Sequence, residues 1–161
     1  MQKISPFLWF DDQAEEAAVF YTSVFKNAKM GEVAYFPAGA DAVGSQPGTV
    51  MTVTFELEGQ QFTALNGGPV FKFSEAVSFV IDCQDQAEVD HYWSSLTADG
   101  GEESQCGWLK DKYGVSWQVV PHRLHELLAS PDKQKAQRVM QAMLKMQKIE
   151  ISALEAAANA K

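Results

Sequence analysis

Cysteine, histidine and positive charge are all scarce in this sequence, and each scarcity removes a class of protein. Cys83 and Cys106 are its two cysteines; they make neither a disulfide framework nor a zinc pattern, so a reduced, cytoplasmic setting is the expectation. Thirteen Lys and Arg against 21 Asp and Glu leave a net charge of −8. An acidic chain repels nucleic-acid phosphates unless it carries a concentrated basic stripe. The basic cluster Lys133, Lys135, Arg138, Lys145 and Lys148 is strung along a late helical stretch and diluted by Asp132 and Glu150, which reads as a solvated helix face. No apolar run approaches the roughly 20 residues of a membrane span, and Met1 to Pro6 holds no apolar leader core. Neither nucleic acid nor membrane is therefore an expected partner.

What is present is an ordinary globular composition, 46% hydrophobic and 21% charged across 161 residues. That length fits one domain, or two small modules sharing a core, and folds without a disulfide or metal staple. A repeat favours two modules. Asp12-Gln13-Ala14-Glu15 recurs as Asp85-Gln86-Ala87-Glu88; each copy follows an apolar run (residues 4–10 and 76–83) and leads to an aromatic pair, Phe20-Tyr21 and Tyr92-Trp93. Asp with Glu three residues on predicts a capped helix start in both copies. Ala14, Ala17, Ala18, Tyr21, Val24 and Phe25 form an apolar stripe at helical spacing, as do Val89, Tyr92, Trp93 and Leu96 before Gly100-Gly101 stops the second helix.

Strand-like segments follow each helix. In the first copy they span 32–36, 49–57 and 61–65, with a hairpin turn at Glu58-Gly59-Gln60. In the second they span 107–110 and 115–120, separated by a turn at Asp111-Lys112-Tyr113-Gly114. Residues 37–47, rich in Gly and Ala, read as a mobile loop placed to act as a lid. Past Pro121 the pattern is helical: Leu124, Leu127 and Leu128 first, then a helix started by Ser130-Pro131 with Ala136, Val139, Met140, Met143 and Leu144 on one face, then a short helix capped by Ser152. The methionine-lined face suits cover for its own sheet, a ligand wall or a dimer surface.

Two stretches carry a family resemblance. Ile4-Ser5-Pro6-Phe7-Leu8-Trp9-Phe10, followed by Ala14-Glu15-Glu16-Ala17 and Phe20-Tyr21, resembles the opening of PhnB-like proteins. Gly107-Trp108-Leu109-Lys110-Asp111 with Tyr113-Gly114-Val115-Ser116-Trp117-Gln118 resembles their closing motif. Such proteins belong to the vicinal oxygen chelate superfamily, with glyoxalase, ring-cleaving dioxygenases and bleomycin-resistance proteins; some of the subgroup carry the label 3-demethylubiquinone methyltransferase. The resemblance implies an α+β fold of two tandem βαβββ modules, residues 1–70 and 74–121, enclosing a cavity, with a C-terminal helical extension over 122–161 and a homodimeric assembly.

Metal-dependent members of the superfamily place ligands on the first and last strands of each module. Carried over, those positions hold Ser5 (or Pro6), Thr63, Ala76 or Ser78, and Gln118. A divalent ion needs nitrogen or anionic oxygen, and hydroxyls with one neutral amide do not hold it against water. No metal and no other cofactor is expected. His122 and His125, three apart, read as a helix-surface pair and His91 as exposed.

Strand alternation sets Ser5, Phe7 and Trp9 on one face, and by the same logic Thr63 with Leu65, Ser78 with Val80, and Ser116 with Gln118 and Val120. With Trp108 and Lys110 on the neighbouring strand, the expected cavity wall is aromatic with a few neutral hydrogen-bonding groups, suited to a small, partly apolar ligand. Lys110 is the basic candidate for an anionic group, or else a surface charge; the aromatics serve the cavity or plain core packing. The expectation is metal-independent binding of a small molecule, with no catalytic residue assigned. Two alternatives stay open. One is a metal-dependent isomerase, lyase or dioxygenase, either with Gln118 and a further residue as ligands or with acid–base work done by Glu56 or Asp82. The other is methyl transfer from S-adenosylmethionine, for which Asn66-Gly67-Gly68-Pro69 is the nearest glycine-rich turn, although it precedes a strand rather than a helix.

Overall fold

The computed structural model describes residues 2–43 and 45–161. Strand β1 (Phe7–Phe10) leads into α1 (Ala14–Val24), followed by β2 (Ala28–Tyr35), β3 (Val50–Leu57) and β4 (Gln60–Asn66). The same order returns as β5 (Ser78–Cys83), α2 (Gln86–Thr97), β6 (Glu102–Glu103), β7 (Trp108–Lys110) and β8 (Ser116–Pro121). Helices α3 (His122–Leu128), α4 (Lys133–Met143) and α5 (Ile151–Ala158) end the chain. Each half closes its own four-stranded sheet, β1-β4-β3-β2 and β5-β8-β7-β6, its first strand parallel to its last. These are the two βαβββ modules, and the chain divides into compact units at Met1–Phe73 and Ser74–Lys161.

In the first unit α1 lays its alanines and Tyr21 on the sheet face formed by Leu8, Phe10, Val53, Phe55, Phe62 and Ala64, all buried. The small side chains let helix and sheet approach closely, and Tyr21 stacks on Phe55 (5.9 Å), which stacks on Phe62 (5.3 Å). The β3–β4 hairpin turns through Glu58 (φ 48°) and Gly59 (φ 83°), the two left-handed residues that a tight hairpin turn requires. In the second unit Val89, Tyr92, Trp93 and Leu96 of α2 are buried against Ile81, Leu109, Trp117 and Val119. Trp93 Nε1 donates to Glu103 Oε1 at 2.6 Å, tying the helix to β6.

The C-terminal helices build a core of their own around Val120: Leu124, Leu127, Val139, Ile149, Leu154 and Ala158. Backbone bonds from Cys106 and Gly107 to Met146 and Gln147 (2.8 Å each) stitch this extension to the loop before β7. The side-chain amide of Gln86 completes the seam, donating to Ile149 O (3.0 Å) and accepting from Ile151 N (2.7 Å).

Several local expectations are corrected. Asp12 does not cap α1; Gln13 holds the cap position without a side-chain bond, and Asn66, next to Phe10 in the register, accepts from Ala14 N at 2.8 Å instead. Asp85 does cap α2, accepting from Glu88 N (2.9 Å) while Glu88 accepts from Gln84 N (2.7 Å). Helix α4 starts after Asp132, which accepts from Gln134 N and Lys135 N, so Ser130-Pro131 lies in the approach. Ser152 sits inside α5 and caps nothing. Strands β1 and β5 begin at Phe7 and Ser78, later than the apolar runs suggest, and β6 is too short to show a period. The methionine face of α4 packs on α3 and α5 rather than on the sheet, with Val139 buried, Met143 half-buried and Met140 and Leu144 exposed. The basic cluster is not merely solvated: Arg138 donates to the carbonyls of Ala157 (3.0 Å) and Ala158 (2.9 Å), and Lys148 pairs with Asp90 (2.8 Å). The expected loop at 37–47 contains a 3₁₀ turn at Ala40–Val43, and its Gly44 lies outside the described residues.

Candidate functional site

With one face of each sheet taken by a helix, the candidate residues fall on the other. In the first unit the register sets Phe7 beside Thr63 and Thr54, and Trp9 beside Leu65 and Thr52. Phe7 is 61% exposed, and Trp9, Thr63 and Leu65 are half-buried, so this face is not core. Ser5 lies ahead of β1 and is exposed, although Thr63 N still donates to Pro6 O (3.1 Å). The turn after β4 fixes Trp9. Its Nε1 donates to Gly68 O (2.9 Å), Phe71 meets its ring edge-on (4.9 Å), and a Cβ on Gly67 would fall 2.3 Å from Trp9 Cε2. The amides of this turn are spent inward, Gly67 N on Phe10 O (2.8 Å) and Gly68 N on Asp11 O (3.1 Å). A cofactor-binding glycine turn presents free N–H groups at a helix start; this one has neither, and does not fit S-adenosylmethionine.

In the second unit the open face has three rows: Ser78–Ser116–Lys110, then Val80–Gln118–Trp108, then Asp82–Val120. Gln118 Nε2 donates to Ser78 Oγ at 3.0 Å, so two inherited ligand positions satisfy each other. Val80 is 57% exposed, and Ser78, Trp108, Lys110 and Gln118 are half-buried. Lys110 is paired with Glu75, whose carboxyl it holds below the usual range by hydrogen bonding and charge. The C-terminal helices cover the Val120 end of the face.

Sequence reasoning missed Asp111, read as a turn residue. It is buried: Oδ1 accepts from Tyr113 N (2.9 Å) and Val115 N (3.1 Å), and Oδ2 accepts from Trp117 Nε1 (2.9 Å). It thereby fixes the hairpin that sets Trp108 and Lys110 beside Gln118 and Ser116.

The positions carried over as metal ligands supply hydroxyls and one committed amide, a donor set that does not fit a divalent ion. Among the described residues no three His, Cys, Asp or Glu side chains gather to hold one. His122 faces Asp82 (3.3 Å) and Glu126 (3.7 Å), with its ring 6.3 Å from that of His125. Glu56 is paired with Lys29 (3.2 Å), so both alternative acid–base candidates, Glu56 and Asp82, are engaged. A separate open cleft in the first unit, about 770 Å³, is bordered by Asp11, Asp12, Glu15 and Glu16 and includes none of Phe7, Trp9, Thr63 or Leu65.

A model of the family described as 3-demethylubiquinone-9 3-methyltransferase matches residues 2–120. The chain belongs to this family. Among solved structures, this PhnB-like chain is similar to a PhnB protein from Bacillus cereus at 33% identity and a TM-score of 0.66, over 74% of this chain and 99% of that one. Protein PA1353 from Pseudomonas aeruginosa is similar at 18% identity and a TM-score of 0.56, over 75% and 98%. The fosfomycin resistance protein FosX from Listeria monocytogenes, complexed with Mn(II) and sulfate, is similar at 16% identity and a TM-score of 0.50, over 75% and 90%. The last two show the fold alone. A search among curated proteins finds no match. The PhnB-like resemblance and the α+β fold of two tandem βαβββ modules are both borne out. The family match stops at residue 120, so α3, α4 and α5 lie beyond it.

Proposed function

We propose that this PhnB-like protein binds a small, partly apolar molecule on the open face of one sheet or the other, without a metal ion. The observation that carries the reading is that these faces keep Phe7, Trp9, Val80 and Trp108 out of the core while interleaving Thr63, Ser78 and Gln118. Apolar side chains left open beside neutral hydrogen-bonding groups are what a small-molecule site offers. Titrating the full chain with the neutral dye Nile red, before and after dialysis against a chelator, tests it. Saturable dye binding and tryptophan quenching are expected in both samples, with far less than one metal ion per chain by mass spectrometry. One tightly held ion, with binding lost on its removal, refutes the reading.

A metal-dependent isomerase, lyase or dioxygenase is favoured by one observation, the likeness to FosX complexed with Mn(II); turnover that appears only with added Mn(II), Ni(II), Zn(II) or Fe(II) supports it. Methyl transfer is favoured by the family's description and opposed by the spent amides at Gly67 and Gly68; calorimetry showing no uptake of S-adenosylmethionine removes it. We also propose a homodimer resident in the cytoplasm. Among the described residues no helix is long and apolar enough to cross a membrane, and a monomer mass by light scattering refutes the dimer.

A further inference from the structure

Ser116 is the one polar side chain on the second unit's open face that is buried without a use. The residue is 1% exposed, and its Oγ has no hydrogen-bond partner. Buried hydroxyls are costly to leave unpaired, so each such group calls for a partner. The side-chain amide one row along the face, Gln118 Nε2, is already committed to Ser78. Beside Ser116 in the register stands Lys110, with Glu102 across from it on β6. The Lys110 ammonium is bound by the carboxylate of Glu75, which comes from the loop ahead of β5. Both side chains stay partly in solvent, 38% and 59%, and exposed pairs of this kind exchange partners at little cost. One row further, Trp108 and Val80 flank Gln118 from either side.

We propose that Lys110 and the Ser116 hydroxyl form the head site for the carboxylate of a small ligand whose flat, apolar body lies along Trp108 and Val80, and that Glu75 competes with that carboxylate for the Lys110 ammonium. The inference rests on the open-face binding reading and names its ligand class. One ammonium and one neutral hydroxyl, with Glu102 close by, suit a monoanion; a dianionic phosphate would meet too little positive charge. Lys110 already holds a carboxylate, that of Glu75, which is of the same chemistry.

Calorimetric titration of the full chain with benzoate, and with benzyl alcohol as a neutral ligand of similar body, tests the proposal. Benzoate is expected to bind about tenfold more tightly, through one charge-assisted and one neutral hydrogen bond. Lys110→Gln is expected to erase that preference. Glu75→Gln is expected to widen it by about fivefold, because the internal competitor is gone. Ser116→Ala is expected to narrow it severalfold with the thermal midpoint held or raised, since an unpaired buried hydroxyl is removed; should that variant misfold, the Lys110 and Glu75 variants still decide. Equal binding of the two probes, or a preference unmoved by Glu75→Gln or by a folded Ser116→Ala, overturns the proposal and leaves open-face binding standing. Binding of neither probe overturns both.

Discussion

Replacing Asp111 by Asn changes one atom of the side chain and tests the buried core of the second hairpin. Asp111 is 2% exposed and accepts hydrogen bonds on Oδ1 from the amides of Tyr113 and Val115 and on Oδ2 from Trp117 Nε1. Bonds to a charged acceptor contribute about 1.5–3 kcal/mol each, and a stranded buried donor costs a similar amount. Asn keeps an acceptor for the two amides but turns an NH₂ towards the indole N–H, donor against donor. The expected loss for Asp111→Asn is about 2 kcal/mol; Asp111→Ala strands all three donors and costs about 4 kcal/mol once non-additivity is allowed for. Urea unfolding followed by circular dichroism reads this directly: with a slope near ~2 kcal/mol per molar, Asp111→Asn moves the midpoint down by about 1 M. Trp117→Phe removes the opposing donor, so Asp111→Asn in that background should cost about 1 kcal/mol less than in the parent. A loss under about 0.5 kcal/mol, or the same loss in both backgrounds, refutes the account of Asp111 as the acceptor that holds this hairpin.

The cap assignment at α1 predicts that Asn66→Ala costs about 1–2 kcal/mol in the same unfolding assay, while Asp12→Ala costs less than about 0.5 kcal/mol. Gly67→Ala places a methyl 2.3 Å from the Trp9 indole; about 1–3 kcal/mol is lost and tryptophan emission shifts as the ring moves, as thermal melting and fluorescence would show. Arg123, by its hydrogen bonds first and its charge second, holds the Glu155 carboxyl below its ordinary value of 4.5. A depressed acid stabilises the fold above its unfolded value and loses that contribution as pH falls through the folded one. The protection factors of the α5 amides should therefore fall below about pH 4.5, and Glu155→Gln should show little of this dependence.

How much was legible depends on how far apart the partners lie in sequence. The stripes of α1 and α2 are read correctly because a helix face is a local pattern, and every residue named in them is buried. Alternation likewise separated Leu8 and Phe10 from Phe7 and Trp9, and Trp117 and Val119 from Gln118. The cap of α1 was not legible, since its acceptor, Asn66, arrives from a strand 52 positions away. Nor was the role of Asp111: a turn signal explains an Asp without asking whether it is buried. On the candidate site, the faces were legible and the pairings were not. No periodicity announces that Glu75 reaches Lys110, that Gln118 spends its amide on Ser78, or that Ser116 is left with nothing.

Gln86 shows how a duplicated motif diverges in use. Its counterpart in the first copy, Gln13, makes no side-chain bond at the cap, whereas Gln86 clasps the main chain at residues 149 and 151. Because that clasp reads peptide groups and ignores side chains, it survives a change of residue at the positions it grips. Part of what keeps the appendage attached is thus a glutamine inside the shared family region, and an observer comparing tails alone would never see it.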